Sequence, residues 1–166
     1  MVALPGDLLI RSNVALPDLT GLAALTSIAG DLTLWDNQAM TQLTGLDNLA
    51  SVDGSFTIQY CGALLDVDAL SGLTAVGTKL SLAFNDSLAS LSGLGGLATV
   101  LLLEIKGNDA LQLIAGFNDL AGPVAYLDIN FNDGLADISG FGSLAQISSS
   151  MHINGNGGLT NLSGFT

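Results

Sequence analysis

Positive charge is nearly missing from this 166-residue chain: Arg11, Lys79 and Lys106 stand against fifteen acids, leaving a net charge of −12 at pH 7. The field around such a particle repels phosphate backbones and anionic lipid headgroups, so no nucleic-acid partner is expected. Long apolar runs are missing too. Although 49% of the residues are hydrophobic, Gly, Asp, Asn, Ser or Thr breaks every stretch well short of the roughly 18 residues of a spanning helix, so no membrane insertion is expected. The opening MVALPGDLLIRSN has neither a basic n-region nor a small-residue cleavage site, and no signal peptide is visible in it.

Chemistry is as scarce as charge. The single cysteine, Cys61, permits no internal disulfide and reads as a small buried hydrophobe. The single histidine, His152, lies outward in the last repeat, away from any nucleophile and acid that would make an acyl-transfer triad. There is no glycine-rich phosphate loop ending in Lys, no paired Cys or His spacing for zinc, and no dinucleotide fingerprint. The pairs Asn85-Asp86, Asn108-Asp109 and Asn132-Asp133 offer one carboxylate per repeat once each Asn turns inward, too little for a Ca²⁺ cage. No enzyme, cofactor or metal site is therefore expected.

What is present is a repeat. Copies of about 24 residues begin at Gly6, Gly30, Gly54, Thr78, Leu101, Ala125 and Ser149, in the form x-x-L-x-L-x-x-N-x-x-L-x-x-L-x-G-L-x-x-L-x-x-V-x. Positions 3 and 5 alternate as in a strand, from Leu8/Ile10 through Leu32/Leu34 to Met151/Ile153. From position 8 onward the apolar spacing is three, which suits short 3₁₀ or irregular corners better than an α-helix. Residues 1–166 thus read as one domain, a mainly β solenoid of seven coils with one parallel sheet. Each coil places about seven side chains inward, worth roughly 1.5–3 kcal/mol apiece when buried, but only if neighbouring coils cover them.

Position 8 carries Asn13, Asn37, Cys61, Asn85, Asn108, Asn132 and Asn156, a carboxamide ladder that Cys61 interrupts. Position 16 is Gly in six coils, expected for positive φ or close backbone approach, and Ala69 in the third. A 23-residue fourth coil ending at Val100, and Pro123 at the expected apolar position 23, predict irregularity near coils four and five. The array enters its pattern at Gly6, and Leu159, Leu162 and Phe165 have no following coil, which reads either as a segment of a longer array or as open ends that pair in an end-to-end homodimer.

This run resembles the leucine-rich repeat superfamily, and within it the receptor L-domain-like repeats of microbial secreted and surface proteins. The resemblance implies a right-handed solenoid, an extracellular or cell-surface location, and a role in recognition or adhesion. Two outward faces are candidates. On the strand face, Thr33, Trp35, Thr57, Gln59, Tyr60, Phe84 and Phe131 form an expected site for a protein or glycan, because amphipathic aromatics dominate contact energy. On a second face, Thr26, Ser27, Ala50, Ser51, Thr74, Ala75, Ala98 and Thr99 form a flat strip of small residues, the alternative expectation being an ice-binding surface.

Overall fold

The computed structural model describes residues 2–165. They form a parallel β-solenoid of about six turns, each about 24 residues long. Among the described residues there is no α-helix, and the helical content is three single turns of 3₁₀, at Thr20–Leu22, Asp68–Leu70 and Ser92–Leu94. Six coils close completely and the seventh is partial.

The repeat dictates the strands. Positions 3 to 6 lie in β2 (Leu8–Arg11), β4 (Leu32–Trp35), β6 (Phe56–Gln59), β7 (Ala75–Ala83), β8 (Thr99–Lys106), β10 (Val124–Asn130) and β12 (Ile147–Asn154). Each pairs in parallel with the same positions of the next coil, as in Leu32↔Phe56 and Phe56↔Leu80. Because Cβ atoms alternate along a strand, Leu32, Leu34, Phe56, Ile58, Leu80 and Leu82 point inward and are fully buried. Positions 4 and 6 therefore form one outward face.

A second row of strands replaces the irregular corner expected near position 22. It contains β1 (Val2–Leu4), β3 (Leu25–Ile28) and β5 (Ser51–Val52), and it continues through the first residues of β7 and β8. Since β1 already pairs with β3, the pattern starts upstream of Gly6. In the first coils a corner separates the two rows: Asp7 and Asp31 at position 2 accept hydrogen bonds from Asp31 N–H (2.8 Å) and Ser55 N–H (2.7 Å) one coil on. From Lys79 onward position 2 carries no Asp, the corner straightens, and the two rows fuse into single long strands. The missing residue of the fourth coil is absorbed here, as a register shift between Val76 and Lys79 against β8. A third, shorter row pairs β9 (Leu113–Ile114) with β11 (Asp137–Ile138).

One further expectation needs correcting, and another is resolved between its alternatives. Pro123 does not fill position 23: it is exposed, and Val124 is buried in its place, since a proline without an N–H fits outside the ladder. Of the position-16 glycines only Gly45 has positive φ (110°). Gly93, Gly116, Gly140 and Gly164 are required by close approach, because a Cβ on each would run into the backbone of the preceding coil. Past the last full coil, Leu162 is exposed, while Leu159 and Phe165 are half-buried against the core.

The position-8 side chains form a hydrogen-bonded ladder. Cys61, Asn85, Asn108 and Asn132 each donate a backbone N–H to the Asn Oδ1 one coil on, at 2.9–3.2 Å. Asn37, Asn85, Asn108, Asn132 and Asn156 each donate Nδ2 to the position-5 carbonyl one coil back, at 2.8–3.0 Å. Asn13 opens the ladder at the exposed end, its N–H 3.0 Å from Asn37 Oδ1. Cys61 has neither Oδ1 for the Asn37 N–H nor Nδ2 for the Leu34 carbonyl. Burial pushes its thiol pKa up, against the lowering pull of the neighbouring Asn37 donors.

Candidate ligand-binding face

Turning the position-8 side chain inward forces the residue before it through left-handed backbone. Position 7 has φ between 55° and 65° in all seven coils: Ser12, Asp36, Tyr60, Phe84, Gly107, Phe131 and Gly155. Glycine, asparagine or aspartate occupy this region at little cost, whereas a bulky side chain is disfavoured there by about 1–2 kcal/mol. Tyr60, Phe84 and Phe131 nevertheless stand there.

That conformation lays each ring over the neighbouring coil. A Cβ on Gly107 would strike the Phe84 ring and one on Gly155 the Phe131 ring, so these two glycines give the rings their seats. Tyr60 stacks on Phe84 with centroids 5.1 Å apart and planes 6° from parallel. Trp35 meets Tyr60 edge-on at 5.8 Å. The Arg11 guanidinium lies 4.2 Å above Trp35, and Lys106 Nζ sits between Phe84 and Phe131 at 5.6 and 5.7 Å. The structure thus gathers Trp35, Tyr60 and Phe84 into one row, while Phe131, 54% exposed, joins it only through Lys106. Thr33 and Thr57 are register partners beside the row, as are Trp35 and Gln59. All four are half-buried.

The same face changes character from β7 onward, and sequence reasoning missed what it becomes. Position 4 runs Ser81↔Glu104↔Asp128↔His152 across adjacent strands. Glu104 Oε2 meets Lys79 Nζ at 2.6 Å and accepts from Ser81 Oγ at 2.7 Å. Burial raises the Glu104 pKa, but these two partners outweigh it and leave the carboxyl below its ordinary value. Asp128 goes the other way, raised by partial burial and by the nearby Glu104 charge; it accepts a hydrogen bond from Asn130 Nδ2. The Tyr126 hydroxyl and His152 Nδ1 share a hydrogen bond of 2.6 Å. Between Lys79, Leu102, Glu104, Ala125 and Tyr126 lies a hollow of about 370 Å³. The only signal in the sequence was the change at position 4 from Thr33 and Thr57 to Ser81, Glu104, Asp128 and His152, which follows no repeat rule.

The small-residue strip lies on the second strand row. Ser27, Ser51, Ala75 and Thr99 are successive register partners, and Thr26 and Thr74 donate their hydroxyls to Val2 O and Ala50 O, each at 3.2 Å. Ala50 and Ala98 occupy the Thr26 and Thr74 position in alternate coils. Among the described residues no three His, Cys, Asp or Glu side chains converge on a point where a metal ion would bind. No protein-family model, curated protein or solved structure matches this chain.

Proposed function

We propose that the solenoid is a non-enzymatic recognition module, extracellular or on a cell surface, that binds a protein or glycan through the row Trp35, Tyr60 and Phe84. One observation carries this reading: two of the three rings occupy left-handed positions that cost stability, and Tyr60 is 40% exposed. Strain maintained at an exposed aromatic marks a surface kept for contact rather than for the fold. The flat stacking offers area to a sugar ring or an apolar side chain, and the flanking Thr33, Thr57 and Gln59 supply hydrogen bonds. The repeat's likeness to receptor L-domain-like leucine-rich repeats agrees with this role. The test is binding to glycan and protein arrays. Trp35→Ala and Tyr60→Ala are expected to weaken a captured ligand by about 30-fold or more, the size of a contact hot spot. Unchanged binding would remove the row from consideration.

An ice-binding role for the second strand row is the alternative, favoured by the in-register alignment of Ser27, Ser51, Ala75 and Thr99. It requires thermal hysteresis or crystal shaping by the unaltered protein, abolished by Thr74→Tyr with Ala98→Tyr. Absence of both effects at high concentration ends it.

A further inference from the structure

We infer that the hollow beside Glu104 receives a lysine side chain of a basic protein partner, its stem lying on Leu102 and Tyr126 and its ammonium on Glu104 Oε1. This rests on the reading of the strand face as a recognition surface and names the chemistry of what it recognises.

The chain already binds cations on this face. All three of its own, Arg11, Lys79 and Lys106, stand at outward positions of these strands, each against an aromatic ring or a carboxylate. With a net charge of −12, the molecule has no such supply left for the remaining acids and attracts cationic partners from a distance. The Lys79–Glu104 contact is the one ion pair among the described residues, so Asp128, the register neighbour of Glu104, has no cation within pairing distance. Leu102, Ala125 and the Tyr126 ring give the hollow apolar walls, and its volume falls at the small end of the range for specific ligand sites.

The free valences select lysine over arginine. Lys79 and Ser81 both contact Glu104 Oε2, which leaves Oε1 as the single open acceptor. A guanidinium fork needs two parallel acceptors, whereas an ammonium is a point charge satisfied by one strong contact and by the fields of Asp128 and the Tyr126 ring. A long apolar stem with a charged tip also matches a hollow walled by Leu102, Ala125 and the Tyr126 ring, with Glu104 at its rim and Lys79 paired to the other oxygen of that carboxylate.

The test follows backbone amide shifts by NMR while the intact protein is titrated with n-butylammonium, with n-butanol as the uncharged control, and then with oligolysine and oligoarginine peptides. Saturable shifts at Leu102, Glu104 and Tyr126 with the amine but not the alcohol, and tighter binding of oligolysine than of oligoarginine, are expected. Glu104→Gln should weaken the amine about tenfold. Leu102→Trp, which fills the hollow, should abolish the shifts, with circular dichroism showing that the solenoid is retained, and Trp35→Ala should leave them unchanged. Three results would overturn the inference: no saturable shift at these residues, an oligoarginine preference, or shifts spread over the Asp corners that persist in Leu102→Trp and Glu104→Gln. Any of these, together with array binding that still depends on Trp35 and Tyr60, would leave the recognition reading standing without the lysine site.

Discussion

The two halves of the strand face are made by the same backbone and carry opposite chemistry. Through coils two to four the outward face carries a row of touching rings, Trp35 edge-on to Tyr60 and Tyr60 stacked on Phe84, and the ladder beneath is broken at Cys61. Through coils five to seven they are charged and hydrogen-bonded, Gly107 and Gly155 relieve the left-handed position in two of three coils, and the ladder beneath is continuous from Asn85 to Asn156. The interior is uniform across this boundary: Ile58, Leu82, Ile105 and Ile129 are all fully buried. In a solenoid each coil is stabilised by its neighbours through the same few columns, so the surface is free to differ from one half to the other without altering the frame. The aromatic half carries two strained ring positions, Tyr60 and Phe84, and a missing rung; the polar half carries one, Phe131, and an unbroken ladder.

The largest test of this contrast is removal of a rung from the continuous half. Asn108→Leu takes away the acceptor of the Asn85 N–H and the donor to the Leu82 carbonyl, both at fully buried positions. Each orphaned group costs about 1–3 kcal/mol, so a loss of about 3 kcal/mol in unfolding free energy is expected from urea denaturation. A loss under about 1 kcal/mol would mean that the rungs do not distinguish the halves.

The opposite substitution, Cys61→Asn, repairs the broken half. It supplies an Oδ1 for the Asn37 N–H and an Nδ2 for the Leu34 carbonyl, and an increase of about 0.5–1.5 kcal/mol in the same measurement is expected. A clear fall in the denaturation midpoint would show a site shaped around sulfur, and the asymmetry of the ladder would then be a matter of volume rather than of hydrogen bonding.

The division between what was and was not legible in the sequence follows from the same physics. Inward columns repeat because every coil buries them against an identical neighbour, so the strand positions, the ladder and the gap at Cys61 could all be read from spacing alone. The left-handed position 7 was hidden because its residues, from Ser12 to Gly155, share no side-chain type; only the geometry imposed by the inward Asn unites them. The second strand row was hidden for a related reason: three-residue spacing also describes a strand whose successive inward residues, Leu25 and Ile28, straddle two outward ones. The fused corner required noticing that Asp leaves position 2 after Asp31. Of the candidate site, Trp35, Tyr60 and Phe84 were found because aromatics are rare in this chain, whereas Lys79, Glu104 and Tyr126 are brought together by cross-strand register and by a one-residue deletion.

The smallest expected effect lies in the polar half and concerns pH. Asp128 has a folded pKa raised, first by burial and then by Glu104, so its charged form is less favourable in the folded state than in the unfolded chain. Above that raised pKa it therefore subtracts stability, and the penalty disappears as pH falls through the folded pKa toward the unfolded value of 3.8. Asp128→Asn removes the penalty at every pH and can still accept from Asn130. The variant should be more stable than the parent at pH 7, by less than about 0.5 kcal/mol after solvent screening, with the advantage vanishing near pH 4. Asp36, in the aromatic half, provides the control of opposite sign. Hydrogen bonds from Gln38 and Ser12 lower its pKa, so Asp36→Asn should lose stability at neutral pH and converge with the parent only as pH drops below the ordinary carboxylate range. Paired thermal melts across pH 3–7 decide the matter. Two variants moving in the same direction would show that the halves do not differ in how they hold their carboxylates.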